Sequence, residues 1–209
     1  MEPGQDLRVF IIDDEPAVIA GLTLMLRANG FAAEGFTCAA DFLARPRIDD
    51  VACVLLDLRL SGQSGLEVQD DLRRHGYPFP VIFLSGQGDV PSTARAMRDG
   101  ALDFLVKPVD EPQLLDALAR ARTAAIAQHL DARRQHDAEE RLAQLTKRER
   151  QVCDLVATGL LNKQIAYELR ASENTVKVHR ARVMHKLRVD SVAALVRLLS
   201  QTEPRRGSS

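Results

Sequence analysis

Apolar residues along this chain fall into two regimes, and the change between them divides it. Up to about Ala121, short continuous apolar runs alternate with amphipathic stretches. The runs span residues 7–12, 32–36, 51–56, 80–84 and 102–106. Unbroken apolarity of this kind is the signature of parallel strands covered on both faces. Helical spacing fills the gaps. Residues 17–28 carry Val18, Leu22, Met25 and Leu26 on one face, with Gly30 as the stop. Residues 65–75 and 91–99 read alike, the latter ended by Gly100. Five strands alternating with five helices predict a doubly wound α/β domain with a five-stranded parallel sheet over residues 1–121.

From Glu111 onward the pattern is helical only. Leu114, Leu115, Leu118, Ala121, Ala125, Leu130, Leu142 and Leu145 follow one another with no Gly or Pro between them. The intervening residues are rich in Ala, Glu and Arg, which favour helix over a flexible linker. We therefore expect the fifth helix to run on as a long helix through a linker at 122–145. A second, all-α domain is expected over 146–203, followed by a disordered tail at 204–209. Thr146 and Glu149 match a capping box, and Gly159 ends that helix. A short helix over 163–169 precedes one over 173–187, capped by Ser172 or Asn174. Asp190 or Ser191 caps a last helix over 192–199. Two helices joined by a tight turn in this way form a helix-turn-helix arrangement.

Charge sharpens the division. The chain carries 28 Lys/Arg and 29 Asp/Glu. Residues 146–209 hold 13 basic and 6 acidic residues, leaving 15 against 23 in the rest. An acidic module carrying a basic one points to nucleic-acid binding by the second. No apolar run approaches the ~20 residues of a membrane helix, and the short acidic N-terminus does not resemble a signal peptide. The three cysteines, Cys38, Cys53 and Cys153, show no paired spacing. They read as core residues in a reducing, cytoplasmic setting.

The candidate chemistry lies at the strand ends. Asp13 and Asp14 close the first run, Asp57 the third and Lys107 the fifth. Ligands of open α/β sheets bind at the carboxyl ends of the strands, so these groups are expected to converge. Three carboxylates in one pocket suit Mg²⁺, which takes oxygen ligands and keeps several waters. Asp57 is placed to act as a carboxylate nucleophile toward phosphorus. Lys107 and the metal would offset charge on the phosphoryl oxygens. Ser85, ending the fourth run, can donate a hydroxyl to another oxygen.

These residues carry a resemblance. Ile12-Asp13-Asp14-Glu15, Leu55-Leu56-Asp57-Leu58-Arg59, Ser64-Gly65-Leu66-Glu67, Leu84-Ser85-Gly86 and Phe104-Leu105-Val106-Lys107-Pro108 together resemble the CheY-like receiver domain of response regulators. The resemblance implies that Asp57 accepts phosphate from a sensor histidine kinase. It implies that Asp14, Asp57 and the Arg59 backbone carbonyl ligate Mg²⁺ with Asp13 assisting, and that Ser85 and Phe104 are switch residues. It also implies a cis Lys107–Pro108 bond. Ser61 departs from the family, which usually carries Pro there, and Phe104 replaces the commoner Tyr.

The second domain resembles the LuxR-type helix-turn-helix of the NarL/FixJ regulators. The resemblance rests on residues 145–152, 159–166 and Thr175-Val176-Lys177-Val178-His179. The stretch over residues 85–91 resembles the FixJ branch. Along residues 173–187, Val176, Val183 and Leu187 are expected to face inward. Lys177, His179 and Arg180 are expected to face outward, with Arg182 and Lys186 extending the basic side. Lys177 and Val178 would meet base edges. Lys163, Asn174, Thr175, His179 and Arg182 would meet phosphates. Val192, Leu195, Val196 and Leu199 offer a self-association face. The function implied is a two-component transcription factor, not an enzyme, that slowly loses its own phosphate. Its expected partners are a histidine kinase, promoter DNA, RNA polymerase and, on phosphorylation, a second copy. Two alternatives stand beside it: an enzyme turning over an aspartyl phosphate, and a DNA-binding regulator using the first domain as a phosphate-independent dimerisation scaffold.

Overall fold

The computed structural model describes residues 7–46, 50–77, 79–86, 98 and 100–202. The chain divides near residue 130 into two compact units. In the first, β1 (Arg8–Ile12), β2 (Ala32–Phe36), β3 (Ala52–Asp57), β6 (Val81–Ser85) and β7 (Asp103–Val106) form one sheet. Its order is β2-β1-β3-β6-β7 and every pairing is parallel. From β1 the chain moves outward to β2, then returns past it to β3 and continues the other way. The order therefore reverses between β1 and β3, the switch point at which such sheets bind ligands.

Alternation along the strands builds two cores. Val9, Ile11, Cys53, Leu55, Ile82 and Leu84 face α1 (Pro16–Ala28) and the first half of α4 (Glu111–Ala143). Phe10, Ile12, Val54, Leu56, Val81 and Phe83 face α2 (Ala39–Leu43) and α3 (Gly65–Arg74). Consecutive residues of a strand point to opposite faces. A strand covered on both sides must then be apolar throughout, as β3 is. The edge strand β2 is largely half-exposed or exposed and correspondingly less apolar. A short antiparallel pair, β4 (Arg59–Leu60) and β5 (Gln63–Ser64), follows β3 and was not anticipated. Of the segment expected to be helical over 91–99 only residue 98 is described, and residues 1–6 and the tail from 203 lie outside the described residues.

The long helix is one element of 33 residues. Leu114, Ala117, Leu118, Ala121 and Ala125 belong to the first unit's core. Ala138 and Leu142, from the segment read as linker, belong to the core of the second. That second core is completed by α5 (Lys147–Ala157), α6 (Asn162–Glu168), α7 (Glu173–Leu187) and α8 (Val192–Thr202). Thr146 and Glu149 form the expected capping box. Gly159 ends α5 at φ +85°, a conformation that side chains rarely adopt. Ser172, rather than Asn174, caps α7 by accepting a bond from the Thr175 amide. Ser191 caps α8 through the Ala194 amide. Among the described residues no helix is long and apolar enough to cross a membrane.

Candidate functional site

Strand register brings the pocket together. Ile12 pairs with Leu56 and Asp57 with Leu84, while Ser85 pairs with Val106. Asp13, Asp57, Ser85 and Lys107 thus sit at or just beyond a common edge of the sheet. Lys107 Nζ lies 2.7 Å from Asp13 Oδ2 and 2.8 Å from Asp57 Oδ2, with Glu15 Oε1 at 3.7 Å. Asp13 is fully buried and the Asp57 side chain is 8% exposed. The Lys107–Pro108 bond is cis. Gly65 is required here by close approach. A Cβ on it would fall 2.3 Å from the Asp57 carbonyl oxygen and 3.0 Å from Leu58 Cα. The start of α3 packs directly against the backbone that presents Asp57. Ser64 and Glu67 cap that start reciprocally.

Backbone amides fix the carboxylates. Asp13 Oδ1 accepts from the Glu15 amide at 3.0 Å, and Asp57 Oδ1 accepts from the Arg59 amide at 3.1 Å. Asp14 Oδ2 accepts from both the amide and the hydroxyl of Ser61, the amide at 3.0 Å. These contacts set the protonation balance. Burial pushes the Asp13 carboxyl up despite its contact with Lys107. The Ser61 hydroxyl bond holds Asp14 below the usual carboxylate range. Burial alone would push the Lys107 ammonium down, but its bonds to Asp13 and Asp57 outweigh that and hold it up.

One oxygen from each of Asp13, Asp14 and Asp57 lies within 4.8 Å of the others. Oxygens around Mg²⁺, at Mg–O of ~2.1 Å, stand about 3–4 Å apart, so the three fit one ion with a bridging water. Asp13 Oδ2 is buried and faces the Lys107 ammonium at 2.7 Å. Ser85 is buried and its hydroxyl donates to the Gly86 carbonyl at 3.0 Å. Phe104 is half-buried against the core on the α2 and α3 side. Ser61 and Glu15 were not among the expected site residues. Glu15 was legible as the third acid of a run, whereas the Ser61 contact depends on loop geometry that spacing does not reveal.

In the second unit α6 and α7 form the helix-turn-helix, with α6 ended by Arg170 at φ 49°. Lys163, Asn174, Thr175, Lys177, Val178 and Arg182 are exposed. The side chains of His179, Arg180 and Lys186 are half-buried, which corrects their expected outward placement. Arg180 stands one turn after buried Val176 and donates to Asn162 Oδ1 at 3.0 Å, tying α7 to α6. His179 Nδ1 is buried with no hydrogen-bond partner among the described residues. Lys186 turns inward, with its ammonium 2.6 Å from Glu149 Oε2 and 3.1 Å from the Gln144 carbonyl oxygen. The exposed residues of α7 are therefore Glu173, Asn174, Thr175, Lys177, Val178, Ala181, Arg182 and His185. Of the residues expected to self-associate, Leu195 is core and Val196 is exposed.

An α/β unit with an acidic pocket at its switch point, on one chain with a helix-turn-helix, defines a DNA-binding response regulator. Residues 9–119 match the response regulator receiver domain family, and residues 143–199 match the luxR family of bacterial regulatory proteins. The chain belongs to the response regulators that join these two domains. Response regulator protein TodT of Pseudomonas putida is 42% identical over 91% of this chain and 84% of its own length. Transcriptional regulatory protein FixJ of Rhizobium meliloti is 40% identical over 92% and 95%. Among solved structures, that of response regulator StyR is 42% identical, covers 94% of this chain and 99% of its own, and superposes with a TM-score of 0.71.

Proposed function

We propose that phosphorylation of Asp57 by a sensor histidine kinase switches this regulator between states that differ in DNA affinity. The observation that carries the reading is the meeting of buried Asp13 and Asp57 at Lys107 Nζ, 2.7 and 2.8 Å away, at the ends of adjacent strands. In the transfer an Asp57 oxygen attacks the phosphorus of a phosphohistidine. The P–O bond forms as the P–N bond breaks, and the imidazole nitrogen keeps the electron pair and takes up a proton. Asp14, Asp57 and the Arg59 carbonyl would hold Mg²⁺, with Asp13 assisting. The ion supplies positive charge beside the phosphoryl oxygens. Lys107 supplies a second cation by exchanging part of its contact with Asp57 for a phosphoryl oxygen. Ser85 turns from the Gly86 carbonyl to another oxygen, and Phe104 follows inward. Arg59, two residues beyond Asp57, is no general base at neutral pH, so the acyl phosphate is lost slowly.

Moving the protein from 1:99 to 99:1 in favour of the active state takes about 5.5 kcal/mol of differential stabilisation. Phosphate, Mg²⁺, Lys107 and Ser85 act at contact distance to provide it. The active state pairs with a second copy and binds promoter DNA in the cytoplasm. Lys177 and Val178 reach base edges there, while Lys163, Asn174, Thr175 and Arg182 hold phosphates, and RNA polymerase is the final partner.

Two measurements test the reading. Asp57→Asn abolishes labelling by a small phosphodonor, and persistent labelling would remove Asp57 from its role. Beryllofluoride with Mg²⁺ raises affinity for promoter DNA at fixed salt. Unchanged affinity would favour a phosphate-independent dimerisation scaffold.

A further inference from the structure

We propose that Ser61 is a positioning residue for Asp14, orienting its carboxylate to receive Mg²⁺. The inference rests on the Mg²⁺ site proposed above and deepens it. Ser61 lies 47 positions from Asp14 in sequence, in the two-residue turn of the β4/β5 hairpin, where Leu60 pairs with Gln63. Gly62 completes that turn at φ +88°. The turn directs both donors of Ser61, amide and hydroxyl, at the same Asp14 oxygen, Oδ2. Asp14 follows β1 in an open turn and is only partly buried. Ser61 makes the strongest directed bond to its carboxylate, ahead of Asp14's own backbone amide. With Oδ2 held by two donors, Oδ1 is left for the metal and the carboxylate plane is set before the ion arrives. Hydrogen bonds of this kind to ligating carboxylates carry about 10–100-fold of metal affinity in other proteins. Proline, which the resemblance leads one to expect at this position, has neither N–H nor hydroxyl and could make neither bond.

The test titrates Mg²⁺ into the full, unphosphorylated chain by calorimetry, comparing the unsubstituted protein with S61A, S61P and S61T. S61P removes both donors, and its dissociation constant is expected to rise about tenfold or more. S61A keeps the amide and is expected to weaken binding by a smaller factor, while S61T restores it. The Mg²⁺ concentration for half-maximal labelling by a small phosphodonor shifts in parallel. The labelling rate at saturating Mg²⁺ stays the same, a split that general loop damage would not produce. Should S61P fail to fold, S61A and its rescue by S61T decide. Equal Mg²⁺ affinity in S61A and the unsubstituted chain would overturn the proposal while leaving the metal site standing. No Mg²⁺ binding by the unsubstituted chain would overturn the site reading and this inference together.

Discussion

Lys186→Met removes an ammonium that the sequence places on the DNA side of α7 and the fold turns inward. Its partner Glu149 has 4% of its side chain exposed and accepts from Lys186 at 2.6 Å and from the Thr146 amide at 2.9 Å. Together the Lys186 bond, first in strength, and the Thr146 bond hold the Glu149 carboxyl down at about 2, against an ordinary value of 4.5. At ~1.36 kcal/mol per unit, that displacement sets a ceiling of about 3 kcal/mol for both partners. The Lys186 side chain is a third exposed, so water screens its share to about 1–2 kcal/mol. Deletion also strands a buried carboxylate, which in fully buried pairs costs about 3–5 kcal/mol. A loss of about 2 kcal/mol is expected, with Met preserving the packing of the stem.

Hydrogen exchange in the full chain reads this directly as the opening free energy of peptides from α5 and α7. The pH dependence carries a sign. A carboxyl depressed in the folded state contributes fully above its unfolded value of 4.5, and that contribution fades as pH falls toward about 2. The unsubstituted unit should therefore lose stability between pH 5 and 2, and Lys186→Met should lose less over the same window. DNA binding supplies the opposing outcome. A phosphate-contacting lysine would leave exchange unchanged on substitution and lower the salt slope of binding by about 1. That result would refute the inward assignment.

Two further outcomes follow from the pocket. Gly65→Ala places a Cβ 2.3 Å from the Asp57 carbonyl oxygen and 3.0 Å from both Leu58 Cα and the Phe83 ring. It should cost about 3 kcal/mol or more in thermal unfolding and slow phosphodonor labelling; unaltered stability would mean that α3 does not bear on Asp57. Mg²⁺ at a hundredfold over its dissociation constant should stabilise the sheet unit by about 2.7 kcal/mol. Asp14→Asn should remove most of that gain in the same unfolding measurement, and an equal gain in both proteins would place the ion elsewhere.

The strands were legible where both faces are covered. β3 and β6 are buried at every position, so their sequences admit no polar residue until the end. The polar residue at that end, Asp57 or Ser85, is then the functional one. A capping box announced the start of α5 at Thr146, and the same signal at Ser64 and Glu67 starts α3. Along α7 the inward stripe of Val176, Val183 and Leu187 is as expected, while the outward placement of Arg180 and Lys186 fails for a geometric reason. At 100° per residue Arg180 returns to the side of Val176, and Val183 and Leu187 continue that stripe, so charge alone did not make Arg180 an outward residue. Lys186 lies about a quarter-turn from that stripe and finds Glu149 37 positions away, a pairing that no local pattern encodes. Ser61 is the same case in the other unit. Its departure from proline was visible, but its hydroxyl had no assignment until the hairpin placed it beside Asp14.

The long helix bears on where either unit could be separated from the other. A boundary after residue 121 would strip Ala125, 2% exposed, from the first core. A start at residue 146 would strip Ala138 and Leu142 from the second. Between those anchors α4 has little core to hold it. Ile126 and Leu130 are 37% and 47% exposed, and the local contacts are surface pairs such as Arg134–Asp131, His136–Glu140 and Gln135–Glu139. Such pairs contribute only a few tenths of a kcal/mol each. Isolated helices shorter than about 12–15 residues are marginal in water. The exposed middle of α4 thus depends on intrinsic propensity, unbroken by Gly or Pro from Gln113 to Leu145, and on being clamped into a packed core at each end. A helical connection of this kind is a property of the intact chain and not of either domain as the sequence divides them.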